Sequence, residues 1–347
     1  MKVLITYGRR PPYPPHGEHL AKAFRNLGHT AVLLGVRDHP WWAKWRKRLL
    51  GKKYWKWDAV EWANRQVFKT VEGYRPDMLI ETEADLLTTA TLRTIKRRWG
   101  TQLGLSLVEG PFRGEPPPVL REYDRIVSTS RVAVEQLRQV GFPHVEYLPF
   151  ATDPTWFHPR RRESSRLFHP LGFIGAYAPR RAKFLEAVSD LGLSIWGPDW
   201  DRRCTASALQ RVVRNTRGVF GRSLVHCYQT TQVVLNIQRE HMMTRTFVGQ
   251  EIGTGLGWRH FDVPACGSAL LTEWIFELSE AFDVGREVET FSSPEELREK
   301  ACYLLSHESY RRAMIRRARE RVLREHTYRH RAQKWAVWFN QLPKQIR

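Results

Sequence analysis

The chain has 347 residues, the length of two domains at roughly 100–200 residues each. Hydrophobic residues make up 42%, enough for packed cores, which excludes a disordered chain. The 56 Lys and Arg, 43 of them Arg, outweigh 36 Asp and Glu and leave a formal charge of +20. That balance favours polyanionic partners: nucleic acid, anionic lipid head groups or phosphorylated small molecules. A GC-rich genome would produce the same arginine bias without any partner.

Met1–Tyr7 lacks the apolar core of about 7–15 residues that a signal peptide needs, and no run reaches the roughly 20 residues of a spanning helix. Cys204, Cys227, Cys266 and Cys302 are widely spaced with no CxxC pair, which speaks against a disulfide framework or a zinc site. The expectation is a soluble protein of the reducing cytoplasm, with peripheral attachment to the inner face of the membrane as an option.

In chain order, short apolar runs rich in β-branched residues alternate with helical patterns, the mark of parallel α/β units. Strands are expected at Lys2–Tyr7, Thr30–Leu34, Met78–Glu81, Gln102–Val108, Arg125–Ser128 and His144–Leu148. Helices are expected between them at His19–Leu27, Ala59–Glu72, Leu87–Arg98 and Arg131–Val140. Prolines and clustered charge make Pro154–Arg162 read as a linker. A second series follows: strands Leu171–Ile174, Leu193–Trp196, Val233–Ile237 and Ala269–Thr272, with helices Arg180–Asp190 and Pro294–Ser306. One long helical pattern then runs from Tyr310 toward Leu342. No repeat at solenoid period is present. The fold class implied is α/β, with two Rossmann-like domains at 1–164 and 165–325 and a closing helix at 326–347.

Three segments carry candidate chemistry. In Gly172–Arg181 a strand ends at Gly175-Ala176-Tyr177, and Pro179 opens a helix beside Arg180. Backbone N–H groups at such a helix start suit a phosphate, although an ordinary strand–helix turn has the same sequence. Arg259–Glu273 reads as a short helix of small residues, a stop at Gly267 and a buried strand ending at Thr272 and Glu273. Asp262 near its start could accept from vicinal ribose hydroxyls or serve as a first-turn carboxylate. Trp41–Trp57 packs seven basic residues and six aromatics without one acid. There Trp41, Trp42, Trp45, Trp55 and Trp57 with Lys44, Lys47, Lys52 and Lys53 suit stacking on bases or sugars, or a bilayer interface. A buried aromatic helix pair with a solvated basic face has the same pattern.

The run Arg259-His260-Phe261-Asp262, small residues, Gly267, then Leu270-Leu271-Thr272 resembles the C-terminal signature of GT-B glycosyltransferases, in the spore-maturation-protein (CgeB-like) branch. Glu280–Glu287, Ser293-Pro294-Glu295-Glu296-Leu297 and His326–Arg331 continue the resemblance. Phe173–Arg181, Ile195–Trp200 and Leu235-Asn236-Ile237 precede it in the expected order. Asp262 departs from the usual Glu by one methylene, and Gly257 stands where Asn is common.

The resemblance implies two Rossmann-like domains facing across a cleft, with the final helix, 326–347, crossing back to the first. It also implies transfer of a sugar from a UDP- or GDP-linked donor to a hydroxyl acceptor, without metal or other cofactor. Donor binding then falls to Gly175, Ala176, Tyr177, Arg180, Arg259, Asp262, Gly267, Thr272 and Glu273. The base candidates are His16 and His19, around the loop after the first strand, and Glu109 at a strand end. Acceptor or surface docking falls to the Trp41–Trp57 segment. A DNA-modifying glycosyltransferase, or a non-catalytic nucleic-acid or anionic-surface binder of the same fold, would suit the +20 charge equally.

Overall fold

A computed structural model gives the structure of the chain and describes residues 1–7, 16–36, 59–82, 87–107, 114–159, 169–239, 243–245 and 251–341. The chain divides into two compact units, Met1–Leu148 with Tyr328–Arg347, and Pro149–Thr327. Among the described residues no helix is long and apolar enough to cross a membrane.

The first unit contains β1 (Lys2–Tyr7), α1 (His16–Asn26), β2 (Thr30–Gly35), α2 (59–74), β3 (Met78–Glu81), α3 (Thr89–Trp99), β4 (Gln102–Leu107), β5 (Arg125–Ser128), α4 (Arg131–Gln139) and β6 (Val145–Tyr147). Its six-stranded sheet is parallel throughout, in the order β2-β1-β3-β4-β5-β6. Strands such as β3, all four residues of which are buried, are near-continuous apolar runs, as a sheet covered on both faces requires. The caps of α3 follow from its sequence. Thr88 accepts from the Thr91 backbone N–H at 3.3 Å, and Gly100 closes the helix in the left-handed region.

The second unit contains β7 (His169–Ile174), α5 (Pro179–Glu186), β8 (Leu193–Trp196), α6 (Trp200–Arg203), α7 (Ser207–Val212), β9 (Val213–Asn215), α8 (Gly221–Gln229) and β10 (Thr231–Asn236). A two-stranded ribbon of β11 (Met243–Arg245) and β12 (Glu251–Gly253) follows. Then come α9 (Arg259–Ala265), β13 (Ala269–Glu273), α10 (Leu278–Ala281), β14 (Glu289–Phe291), α11 (Pro294–Ser306) and α12 (Glu308–Glu325). The sheet order is β14-β13-β10-β7-β8-β9, again all parallel. Chain order reverses between β7 and β10, so the loops after these two strands diverge and leave a crevice at their carboxyl ends, where α/β sheets take their ligands. Phe173, Leu235, Leu271 and Phe291 share one core with Leu297 of α11. There Ser293 caps α11, accepting from the Glu296 N–H at 3.2 Å, with Pro294 in the first turn.

The structure adds elements that the sequence reading did not place, among them β9, the β11–β12 ribbon and β14, and it differs from that reading at two further segments. The segment read as linker is ordered from its start: the Asp153 backbone carbonyl accepts from the N–H groups of Trp156 and Phe157, and Phe157 is buried. The long C-terminal helical pattern is broken at His326-Thr327, after which α13 (Tyr328–Gln341) joins the first unit. His326 lies 5.0 Å from the Phe261 ring, with its Nε2 3.2 Å from the Ala281 carbonyl. Thr327 pairs with Thr152, and no proline or glycine marks the break.

Candidate functional site

The carboxyl ends of β7, β10 and β13 carry a connected polar network. Asn236 ends β10, and its Oδ1 accepts from Nη1 of Arg259. Its Nδ2 donates to Nε2 of His260 at 2.9 Å and to Oγ1 of Thr272 at 3.1 Å. The His260 ring therefore carries its proton on Nδ1, which faces the Gly257 carbonyl at 3.1 Å. Burial holds the His260 pKa down at about 4, so the ring is neutral at physiological pH. Arg259 reaches across the crevice, its Nη2 donating to the carbonyl of Ile174 at the end of β7. One arginine of α9 thus ties two strand ends together.

A second tie lies beside it. Arg180, in the first turn of α5, forms a two-pronged ion pair with Glu273 at the end of β13, one arm at 2.8 Å. The other Glu273 contact is the backbone N–H of Gln238, at 2.9 Å from Oε2. Arg181 faces inward: Nε and Nη2 donate to Ile237 O at 3.1 and 2.9 Å, and Nη1 donates to Ala176 O at 3.1 Å. It is buried, its guanidinium lying over the Phe173 ring, and it staples the loop after β7 to the loop after β10.

The loop after β7 is fixed by its neighbours. Gly175 N–H donates to Trp196 O at 2.8 Å, and Tyr177 N–H donates to Pro198 O at 3.0 Å. Gly175 O in turn accepts from the Trp200 indole at 2.8 Å. A Cβ on Gly197 would stand 1.9 Å from Gly175 O, so only glycine lets the two loops approach this closely.

Asp262 lies in the first turn of α9 and is buried. Burial raises its pKa well above the ordinary carboxylate value, against the opposing pull of the Thr152 hydroxyl and the Arg259 guanidinium; Asp153 adds to the rise. Its Oδ1 has no hydrogen-bond partner among the described residues, and neither do the nearby Nε of Arg259 and Nε2 of Gln238. One acceptor and two donors thus stand buried and unused around the crevice end of the sheet, a pattern that marks a site made for a ligand.

The structure brings Arg180, Arg259, Thr272 and Glu273 into one network, with Asp262 in the same helix as Arg259 and Gly175–Tyr177 opposite. Gly267 is placed elsewhere: it closes α9 ahead of β13, with Pro159 as its neighbour. Sequence reasoning passed over Arg181, Asn236 as a network centre, His260 and Gln238. Adjacent arginines in a first turn do not declare which one points inward.

In the first unit, His16 begins α1 with Nδ1 3.1 Å from the Tyr328 hydroxyl and Nε2 3.2 Å from the Ser106 hydroxyl. Burial, with His19 and Arg331 nearby, lowers its pKa to about 3, which makes a weak proton acceptor. His19 is buried and stacks on Tyr328 with centroids 5.0 Å apart. Glu109 and the whole Trp41–Trp57 segment, including Trp42, Lys44, Trp45, Lys47, Lys52, Lys53 and Trp55, lie outside the described residues.

Solved structures of the same architecture cover nearly the whole chain. A sucrose-phosphate synthase from Thermosynechococcus elongatus aligns over 98% of both chains, with TM-score 0.68 and 12% identity. The fold is the GT-B fold. A glycosyltransferase from Rickettsia africae ESF-5 aligns over 99% of both chains, with TM-score 0.67 and 12% identity. An Anabaena protein with this GT-B architecture, solved in complex with UDP and glucose, aligns over 99% of this chain and 100% of its own, with TM-score 0.66 and 10% identity. Residues 180–336 match a family described as glycosyl transferase-like, a span that opens at Arg180 and contains the whole Arg259–Glu273 network. No curated protein matches the chain.

Proposed function

We propose that this GT-B chain is a glycosyltransferase of the spore-maturation-protein branch, moving a sugar from a UDP- or GDP-linked donor to a hydroxyl acceptor. The observation that carries this reading is the buried Asp262 carboxylate with its unused Oδ1, beside the unused Nε of Arg259. A ribose hydroxyl is a donor that Oδ1 lacks, and a diphosphate oxygen is an acceptor that Nε lacks. The match over 180–336 and the UDP-bound Anabaena neighbour support a nucleotide sugar as the ligand.

In this reading the chemistry needs no metal. Charge growing on the departing diphosphate is met by Arg259 and by the dipoles of the loop after β7, both held rigid before the reaction begins. The Asn236–His260–Thr272 network positions Arg259 and stays neutral itself. Electrostatic help of this kind acts where the bond breaks, so it raises turnover more than affinity. Charge of +20 supports an anionic acceptor or surface, with Trp41–Trp57 as its docking segment.

The test is a panel of nucleotide sugars. A donor at 100 times its Kd adds about 2.7 kcal/mol of stability, which at this size raises the thermal midpoint by roughly 5–10 °C. The same donor should release free nucleoside diphosphate on incubation with protein. Stabilisation without release would indicate a binding protein, and neither effect from any donor would overturn the proposal.

A further inference from the structure

A cavity of about 720 Å³ opens at the other end of the first unit's sheet, ahead of the strand starts. It is framed by the start of β1, the start of β2, the turn between α2 and β3, and the last turn of α3. Five of its side chains are cationic, Lys2, Arg75, Lys96, Arg97 and Arg98, and one is acidic, Asp77. Some of that charge is already matched: Lys96 pairs with Asp124 at 2.6 Å and Arg98 with Glu72 at 3.3 Å. Lys2 Nζ reaches the Tyr74 carbonyl at 3.4 Å and lies over the Tyr74 ring, so Lys2, Arg75 and Arg97 outnumber Asp77, the one acidic residue of the lining. The volume falls within the roughly 300–1,000 Å³ of small-molecule sites.

Cations in the last turn of α3 have an ordinary explanation, since they offset the negative end of the helix dipole. Arg75 shares part of it, since it stands at the end of α2, but its backbone adds a second feature. Arg75 follows α2 with φ +52, in the left-handed region where glycine sits without steric cost and a side chain is strained. Its Nε donates to Glu72 O at 2.8 Å, and its guanidinium lies 5.2 Å from the Trp99 ring, which Arg98 also approaches at 5.1 Å. A cation is thus kept, oriented and stacked at a position where the backbone favours glycine.

We propose that this cavity is a binding site for a phosphoryl group, carried by a soluble phosphorylated metabolite or by a lipid head group. It is separate from the nucleotide-sugar site and does not depend on that assignment. Arg75 and Arg97 supply forked donors to the phosphoryl oxygens, and Lys2 adds a point charge.

The test uses the full chain and inorganic pyrophosphate, with hydrogen exchange read peptide by peptide. Pyrophosphate should slow exchange over residues 75–78 and 96–103. In Arg75→Gly and Arg97→Gln the concentration needed should rise about tenfold, the loss expected for one charged hydrogen bond. Any protection around 175–181 in the second unit should be unchanged in both variants. A second arm adds phosphatidylcholine vesicles with and without phosphatidic acid, read by co-sedimentation. Pyrophosphate protection without vesicle binding identifies a soluble ligand, and phosphatidic-acid-dependent binding lost in the two variants identifies a head group. No protection and no vesicle binding, or either one indifferent to both variants, would overturn the proposal. Arg75→Gly relieves a strained backbone position, so a folded variant that still binds normally would also refute it.

Discussion

Changing Asp262 to Asn should move stability and ligand affinity in opposite directions. The carboxylate is buried, its Oδ1 is unpartnered, and its pKa is raised by desolvation. The ligand-free protein therefore carries a cost that the isosteric amide largely removes. The amide still leaves a polar atom unsatisfied there but carries no charge, so Asp262→Asn should gain the desolvation penalty of the ionised group, about 1–3 kcal/mol near pH 7. At roughly 2–4 °C per kcal/mol, the midpoint should rise by several degrees. The pH dependence follows with a definite sign. Because the folded pKa lies above the unfolded value near 3.9, the folded state holds more protons, and stability falls as pH rises through that interval. The variant lacks this fall, so the gap between the two proteins should widen from pH 4 upward. Affinity for UDP should drop by about 10–150-fold, the range of 1.5–3 kcal/mol for a charged hydrogen bond. Scanning calorimetry from pH 4 to 8, with and without UDP, reads both effects. A variant that is less stable when ligand-free and binds UDP as well as the parent would refute this reasoning.

Arg181→Met keeps the apolar stem but leaves Ile237 O and Ala176 O without their donor, which should cost about 3 kcal/mol and loosen the crevice; faster amide exchange at Gly175–Tyr177 and in β10 would show it. Gly104→Val should displace α13, because a Cβ there would meet the Trp335 ring at 2.7 Å, an overpacking cost of about 1–3 kcal/mol; early proteolytic loss of the C-terminal helix is the readout. His16 has a folded pKa near 3 against 6.5 unfolded, so the folded state binds fewer protons between those values and stability falls as pH drops through them. His16→Gln should flatten that acid limb in a pH series of thermal midpoints. Replacing Lys44, Lys47, Lys52 and Lys53 with Gln should abolish binding to anionic vesicles or DNA at physiological salt and leave UDP affinity intact; if the parent binds neither surface, the docking role is refuted.

The strands were the most legible part of the chain. Runs such as Val233-Val234-Leu235 and Ala269-Leu270-Leu271 are apolar at every position because both sheet faces are covered, and that pattern survives without knowledge of partners. The boundary between α12 and α13 falls where the sequence reading put it, after residue 325, but the reason for the break was not legible. Helix-forming residues continue across it with no proline or glycine, and the cause is tertiary: His326 lodges against Phe261, which is 65 positions earlier in sequence, and Thr327 pairs with Thr152. At the site, Asp262 could be singled out from its place in α9, but Thr152 and Asp153, which act on its carboxyl, are distant in sequence and no local pattern connects them to it. Arg180 and Arg181 show the limit most clearly. A rotation of about 100° per residue sends one to Glu273 and the other into the core, and a buried arginine is the less expected of the two fates.

The C-terminal origin of α13 has a consequence for biosynthesis. Trp335 fills the space above Gly104 of β4, yet it is made after the entire second unit. Pro149–Thr327 is one uninterrupted stretch and can close as soon as it leaves the ribosome. The first unit emerges earlier but waits without the helix that packs against α1 and covers Gly104 of β4 until α13 is released. Assembly then runs against the direction of translation, and the nascent N-terminal half is the species most exposed to chaperones and to aggregation. A premature stop near residue 327 would leave that half permanently unfinished while sparing every residue of the Arg259–Glu273 network.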